Sequence, residues 1–242
     1  MKPFFARIGS KTTLLKYIMP LFPQHTTYCE PFVGGGAVFF KKTESEIEIL
    51  NDIDKTLYDD YMHLKNVRLE NIPDSIEDLN EFYKNAEDSP TNKLLKSLLI
   101  RNNTFNCSGK GKLYPKSNPL NKLKLVPEYQ LRLKNAIFHN KSYEDILRDY
   151  DSENTFFYID PPYENSKGLY THYTFDYQKL VDILKSIKGK FLLSINDSPR
   201  IRELFQNYKI VSILVQKTGG SKKLFKLMGF LRSELLISNY EM

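Results

Sequence analysis

The chain has 242 residues, 41% apolar and 26% charged, enough for one large soluble globular domain or one domain carrying an insertion. No apolar run approaches the about 18 residues of a membrane span, and the start, MKPFFARIGSKTTLLKY, lacks the apolar centre and cleavage site of a signal peptide. Two cysteines, Cys29 and Cys107, exclude a disulfide framework and point to a reducing, cytoplasmic interior, and four histidines without ligand spacing predict no structural metal.

In chain order, KTTLLKYIMPLF has helical spacing and closes near Pro20. TTYCEPFVGGGAVFFKK reads as a strand, a glycine turn and a new helix, and IEILNDID as a second strand ending in acids, followed by the helix KTLYDDYMHLKNV. This order predicts an α/β fold with a parallel sheet and right-handed crossovers. From about residue 66 to 133 the pattern changes to the helices SIEDLNEFYKNAE and NKLLKSLLIRN and a long polar, basic stretch, NNTFNCSGKGKLYPKSNPLNKLKLVPE. A connector of that length is more often functional than idle. The alternation then resumes with AIFHN, SYEDILRDY, TFFYID, DYQKLVDILKSIK, KFLLSIND, SPRIRELFQNY and KIVSILVQ, and a final strand, SELLISNY. The expected organisation is a discontinuous catalytic domain, residues 1–54 and 136–242, interrupted by a mainly helical insertion at 55–135.

The net charge of +6 is unevenly placed. Residues 44–88 hold 14 acids against 4 bases, whereas residues 91–135 hold 10 bases against one acid, Glu128. A second basic run, KTGGSKKLFKLMGFLR, has five positive charges and no acid. Such segregation can gather a polyanion on one face, and its bland alternative is a set of solvated lysines.

Two motifs carry chemistry. Gly34, Gly35 and Gly36 sit between a strand and a helix, where glycine permits a sharp turn and close approach of a ligand to the main chain. Asp52, 18 residues beyond Gly34, is placed to hold two ribose hydroxyls. Phe39 stands where a dinucleotide fingerprint needs its third glycine, which points away from NAD. The second motif is FFYIDPPY, an apolar strand leaving through Asp160, Pro161, Pro162 and Tyr163 at the sheet edge where open α/β folds bind ligands. The exocyclic amine of adenine is a poor nucleophile, because its lone pair is delocalised into the ring. A carboxylate and a proline carbonyl accepting its N–H groups favour a more electron-rich nitrogen, and an adjacent tyrosine can stack on the extruded base. The glycine turn and this strand exit are expected to share one pocket.

FVGGGAVFF, LNDID and FFYIDPPY in this order, with RIGSKTTLLKYI near the start and SELLISNY near the end, resemble the Dam-type N6-adenine DNA methyltransferases (D12 class, alpha group). The resemblance spans nearly the whole chain and is weakest in the insertion. It implies a Rossmann-like class I S-adenosylmethionine-dependent methyltransferase fold with an inserted target-recognition domain, S-adenosyl-L-methionine as cofactor, and double-stranded DNA as partner, with no membrane and no metal. By the same resemblance Lys11, Phe32, Gly34, Gly36 and Asp52 hold the cofactor. Arg7 stands where the family often has an aromatic, so its contact becomes a cation–π or planar stack. Asp54 is a rival to Asp52, with helix capping as its plainer role. Asp160 accepts from the target amine and touches the methionyl ammonium, Pro161 offers its carbonyl, and Tyr163 stacks on the flipped adenine. In the insertion Arg101, Asn103, Asn106, Lys110 and Lys112 match the DNA-facing loop, and Lys222 and Lys223 lie in a second basic loop that clamps the backbone.

Two other readings stand beside this one: an adenine-N6 RNA methyltransferase, and a catalytically inactive DNA-binding relative. Intact glycine, Asp52 and DPPY motifs disfavour the latter. An oxidoreductase is a distant further alternative. The sequence names neither a target site nor a restriction endonuclease counterpart.

Overall fold

The structure, a computed structural model, describes residues 1–7, 9–104, 113–114, 118–164, 175–216 and 231–242. Among these, the strands are β1 (Thr27–Glu30), β2 (Ile47–Asn51), β3 (Ile137–His139), β4 (Thr155–Ile159), β5 (Lys190–Asn196), β6 (Lys209–Gln216) and β7 (Leu231–Ser238). The helices are α1 (Leu15–Ile18), α2 (Lys55–Asn66), α3 (Leu79–Asn85), α4 (Pro90–Asn103), α5 (Leu120–Leu123), α6 (Val126–Leu133), α7 (Tyr143–Asp149), α8 (Tyr177–Leu184) and α9 (Pro199–Leu204).

The strands form one mixed sheet in the order β3-β2-β1-β4-β5-β7-β6. β1 with β4, β2 with β3, and β4 with β5 pair in parallel, whereas β7 runs antiparallel to both β5 and β6. The first five places follow the doubly wound order, whose direction of winding reverses between β1 and β4. The chain therefore has the Rossmann-like α/β fold expected of it, with β7 slotted between β5 and β6 as the antiparallel addition.

Two expectations need correction. No regular helix follows the glycine turn. Residues 31–43 form successive turns whose bonds mix two spacings: Gly36 N to Val33 O, Phe40 N to Gly36 O, Lys41 N and Lys42 N to Val38 O. Val38, Phe39 and Phe40 are all buried, so no solvent face remains to select one helical register. The end of the polar stretch, residues 118–128, is also helical where a connector is expected. Pro119 precedes α5, and Pro127 sits in the first turn of α6, where a missing N–H costs nothing.

Two compact units can be described. The first comprises Met1–Thr12, Val33–Thr43 and Glu48–Lys141. Its helices begin at side-chain caps: Asp54 accepts from Thr56 N and Leu57 N, Asp78 from Asn80 N and Glu81 N, and Ser89 from Asn92 N ahead of Pro90. Its core is aromatic, with Phe4, Phe5, Phe39, Phe40, Tyr61 and Tyr129 packed edge to face. Within it Glu48 is a buried carboxylate held by two cations, Lys42 Nζ at 2.5 Å and Arg132 in a fork at 2.5 and 2.9 Å. The Arg132 guanidinium also lies 3.7 Å from the Phe39 ring centroid. Burial acts against the Glu48 charge, but hydrogen bonds from Arg132 and Lys42 outweigh it and hold the carboxyl below its ordinary range.

The second unit comprises Thr13–Phe32, Glu44–Ile47 and Ser142–Met242. It contains β1 and β4 through β7. β4 is buried along its whole length, as a central parallel strand must be. α7, α8 and α9 start at Ser142, Asp176 and Ser198, each accepting a backbone N–H.

Candidate active site

In the first unit the site residues gather around the glycine turn. Gly34 and Gly36 have φ of +49° and +69°, a region costly for other residues. A Cβ on Gly35 would stand 2.8 Å from Phe5 O, and one on Gly36 would stand 2.9 Å from the Phe40 ring. Above Gly34, by contrast, a Cβ would meet nothing within 4 Å, so main chain is open to an incoming ligand there.

Asp52 fixes this turn to the exit of β2. Its Oδ2 accepts from Gly34 N at 3.0 Å and its Oδ1 from Asp54 N at 2.9 Å, while Tyr61 donates its hydroxyl to Gly34 O at 3.0 Å. Burial raises the Asp52 pKa, against the lowering effect of the Arg7 charge and the two backbone N–H groups. Arg7 is engaged by Asp54, with Nη1 to Oδ2 at 2.5 Å. Asp54 is a cap and an ion-pair partner at once. Burial pushes its pKa up, but the Thr56 and Arg7 hydrogen bonds and the charges of Arg7 and Arg101 bring it down to about 2. Lys11 is buried, with Nζ 3.3 Å from Gly9 O. Ile53, between the two aspartates, is 70% exposed, an apolar surface that motif spacing did not single out.

In the second unit the site residues gather where β1 and β4 end side by side. Cys29 pairs with Phe157 in parallel register, so Glu30–Phe32 and Asp160 leave the sheet at the same edge. Asp160 is half-buried at the end of a strand that is wholly buried. Glu30 is 2% exposed and accepts from Tyr28 Oη at 2.7 Å. Burial first, then the carboxylates of Asp160 and Glu30, pushes the Tyr158 phenol well above its ordinary value, so it stays protonated. Phe32 packs against Tyr143 and Phe175 at centroid distances of 5.3 and 5.7 Å.

The Pro-Pro-Tyr exit is held by three contacts. Tyr177 donates its hydroxyl to Pro162 O, Tyr163 donates its own to Glu234, and Glu164 N donates to Asn196 Oδ1 at 3.3 Å. Glu164 in turn accepts from Ser198 Oγ at 2.5 Å. Among the described residues no donor is bonded to Pro161 O. Glu234 and Asn196 face each other across the β5–β7 ladder. Neither was legible as a site residue, because a contact across 71 residues exists only once β7 has taken its place.

The expected DNA contacts divide in two. Arg101 is 6% exposed, with Nε to Asp60 Oδ2 at 2.5 Å and Nη2 to Thr56 Oγ1 at 3.1 Å. Asn103 is fully buried and donates to Tyr114 O at 2.9 Å. Both side chains are thus buried within the first unit and engaged by Asp60, Thr56 and Tyr114. Asn106, Lys110, Lys112, Lys222 and Lys223 lie outside the described residues. Among the described residues no group of His, Cys, Asp and Glu could hold a metal ion, and no helix is long and apolar enough to cross a membrane.

Residues 8–91 and 89–218 match the family model for D12 class N6 adenine-specific DNA methyltransferase. The chain is similar to the type II methyltransferase M1.LlaDCHI of Lactococcus lactis subsp. cremoris, 25% identical over 99% of this chain and 96% of that one. It is similar to M.CviBI of Paramecium bursaria Chlorella virus NC1A, 28% identical over 86% of this chain and 88% of that protein. It is also similar to M.MjaIII of Methanocaldococcus jannaschii, 27% identical over 99% of both chains.

Proposed function

The chain belongs to the D12 class N6 adenine-specific DNA methyltransferase family, and from that premise we propose that this DNA methyltransferase methylates the N6 amine of an adenine turned out of duplex DNA. The observation that carries the reading is the Asp160–Tyr163 exit: a half-buried carboxylate on a buried strand, at the edge where β1 and β4 diverge.

S-adenosylmethionine is the proposed donor, and when bound it supplies an electrophilic methyl group on a sulfonium. The residues fit it: open space over Gly34, a half-buried acid at the end of β2 and the buried ammonium of Lys11. Asp52 would accept from ribose hydroxyls, and Ile53 offers an apolar face to a heteroaromatic ring. Asp160 and the Pro161 carbonyl would accept the two N–H groups of the adenine amine, keeping its lone pair out of the ring. Tyr163 would stack on the base. Once methylated, the amine would be acidic, and Asp160 or water would take its proton.

Residues 55–135 are proposed as the target-recognition insertion. Arg101 and Asn103 brace it from within, and the exposed cations Lys124 and Lys134 meet phosphates.

The test is transfer of labelled methyl from S-adenosylmethionine to DNA, followed by nucleoside analysis. N6-methyldeoxyadenosine from duplex DNA, formed at least about 100-fold more slowly by Asp160→Asn, is the expected result. Label found only in matched RNA, or on cytosine, would overturn the proposal. Binding of DNA equally by wild type and Asp160→Ala, with transfer by neither, would make the chain a binding protein.

A further inference from the structure

Tyr163 stacks well only if its ring is held at one angle, and a tyrosine at a strand exit can otherwise turn about two side-chain bonds. The structure holds it at its far end. The hydroxyl donates to Glu234 Oε1, and the same oxygen accepts from Ser194 Oγ at 3.2 Å. Glu234 and Ser194 are both fully buried, on β7 and β5 respectively, two neighbouring strands of the sheet. Asn196, opposite Glu234 in that ladder, accepts from Glu164 N, one residue beyond Tyr163. The ring and the backbone after it are therefore tied to the same rung.

We propose that Glu234 is the positioning residue for Tyr163, its buried carboxylate fixing the phenol so that the ring presents one face to the acceptor base. A carboxyl group suits the task, because its oxygens can accept from the phenol and from Ser194 together, and such a hydrogen bond strengthens away from water. The inference deepens the functional reading above and rests on it. It makes β7 part of the acceptor site, although Glu234 itself touches neither substrate nor donor.

The experiment is a double-mutant cycle on methyl transfer, using duplex DNA free of N6-methyladenine. Glu234→Gln keeps the shape and exchanges the carboxyl group for an amide. It is expected to lower kcat about tenfold, with the KM for S-adenosylmethionine unchanged, and Glu234→Leu to lower it further. In a Tyr163→Phe background, which has no hydroxyl to hold, Glu234→Gln should change kcat by less than about twofold. Equal losses in the two backgrounds would overturn the proposal, since a role in packing alone does not depend on the Tyr163 hydroxyl. So would full activity of Glu234→Gln. If thermal melting shows that Glu234→Gln does not fold, the cycle is run with Ser194→Ala. Its smaller loss should likewise vanish in Tyr163→Phe, and its persistence there overturns the proposal. Failure of the wild type to methylate any DNA would refute the functional reading instead, so the two failures are distinguishable.

Discussion

Asp52 and Asp54 are two residues apart and respond to pH in opposite senses. The folded pKa of Asp54, about 2, lies below the ~3.9 of a free aspartate, so between these values the unfolded chain binds more protons. The stability Asp54 contributes is therefore complete above about pH 4 and lost as pH falls toward 2. Asp52 is shifted upward by burial, so its contribution is present below its unfolded pKa and is lost as pH rises through the folded one. Arg7→Ala should flatten the acid limb of a urea-midpoint profile by about 1–2 kcal/mol, a figure discounted for the partial exposure of the pair. An unchanged limb would remove Arg7 from this account. At Gly36 a Cβ would meet the Phe40 ring at a φ of +69°, so Gly36→Ala should cost about 1–3 kcal/mol in thermal or denaturant unfolding. Asp160→Asn should leave that stability nearly unchanged while lowering methyl transfer about 100- to 10,000-fold.

Among the elements, α4 shows how charge can mislead. It opens the basic segment, yet Arg101 points to Asp60 on α2, and Ser97 donates to the same carboxylate at 2.6 Å. Arg132 on α6 likewise belongs to Glu48, and Lys93 to Asp88. The acidic and basic stretches, adjacent in sequence, thus partly neutralise each other inside the first unit. Arg101→Ala should cost about 3–5 kcal/mol by leaving Asp60 uncompensated, while the salt dependence of DNA binding stays as it was. A shallower salt slope with unchanged stability would restore Arg101 to the DNA surface. The long helices were legible because periodicity marked them, with a cap in agreement at Asp54 for α2; Ser89, the cap of α4, emerged only from the structure. α5 and α6 were not, because they lie in a stretch whose polar, basic composition read as a long connector, although Pro119 and Pro127 both stand where helices begin. The helix expected after Gly36 failed for the opposite reason, since apolar residues on every side give periodicity nothing to lock onto.

At the scale of the molecule, the sheet order places what local motifs could only name. FFYIDPPY announced a strand and its exit, and pairing with β1 puts that exit beside Glu30 and Phe32. Asp160 through Tyr163 were readable because they are contiguous; Glu234 and Ser194 were not, since only a long-range antiparallel ladder joins them. The remaining positive charge predicts that DNA affinity falls steeply with salt. With about three phosphate contacts it should drop more than about tenfold between about 50 and 200 mM, as fluorescence anisotropy would measure. A flat response would argue against phosphate recognition. β7 is zipped on both flanks, to β5 through Leu235↔Ile195 and to β6 through Leu235↔Ser212. It cannot slide, because a shift by one place would turn Glu234 toward the opposite side of the sheet and bring Leu235 to its place. Gene variants lacking any single codon in 231–238 should therefore drop out of a library selected for methylation, even where each remaining residue is wild type.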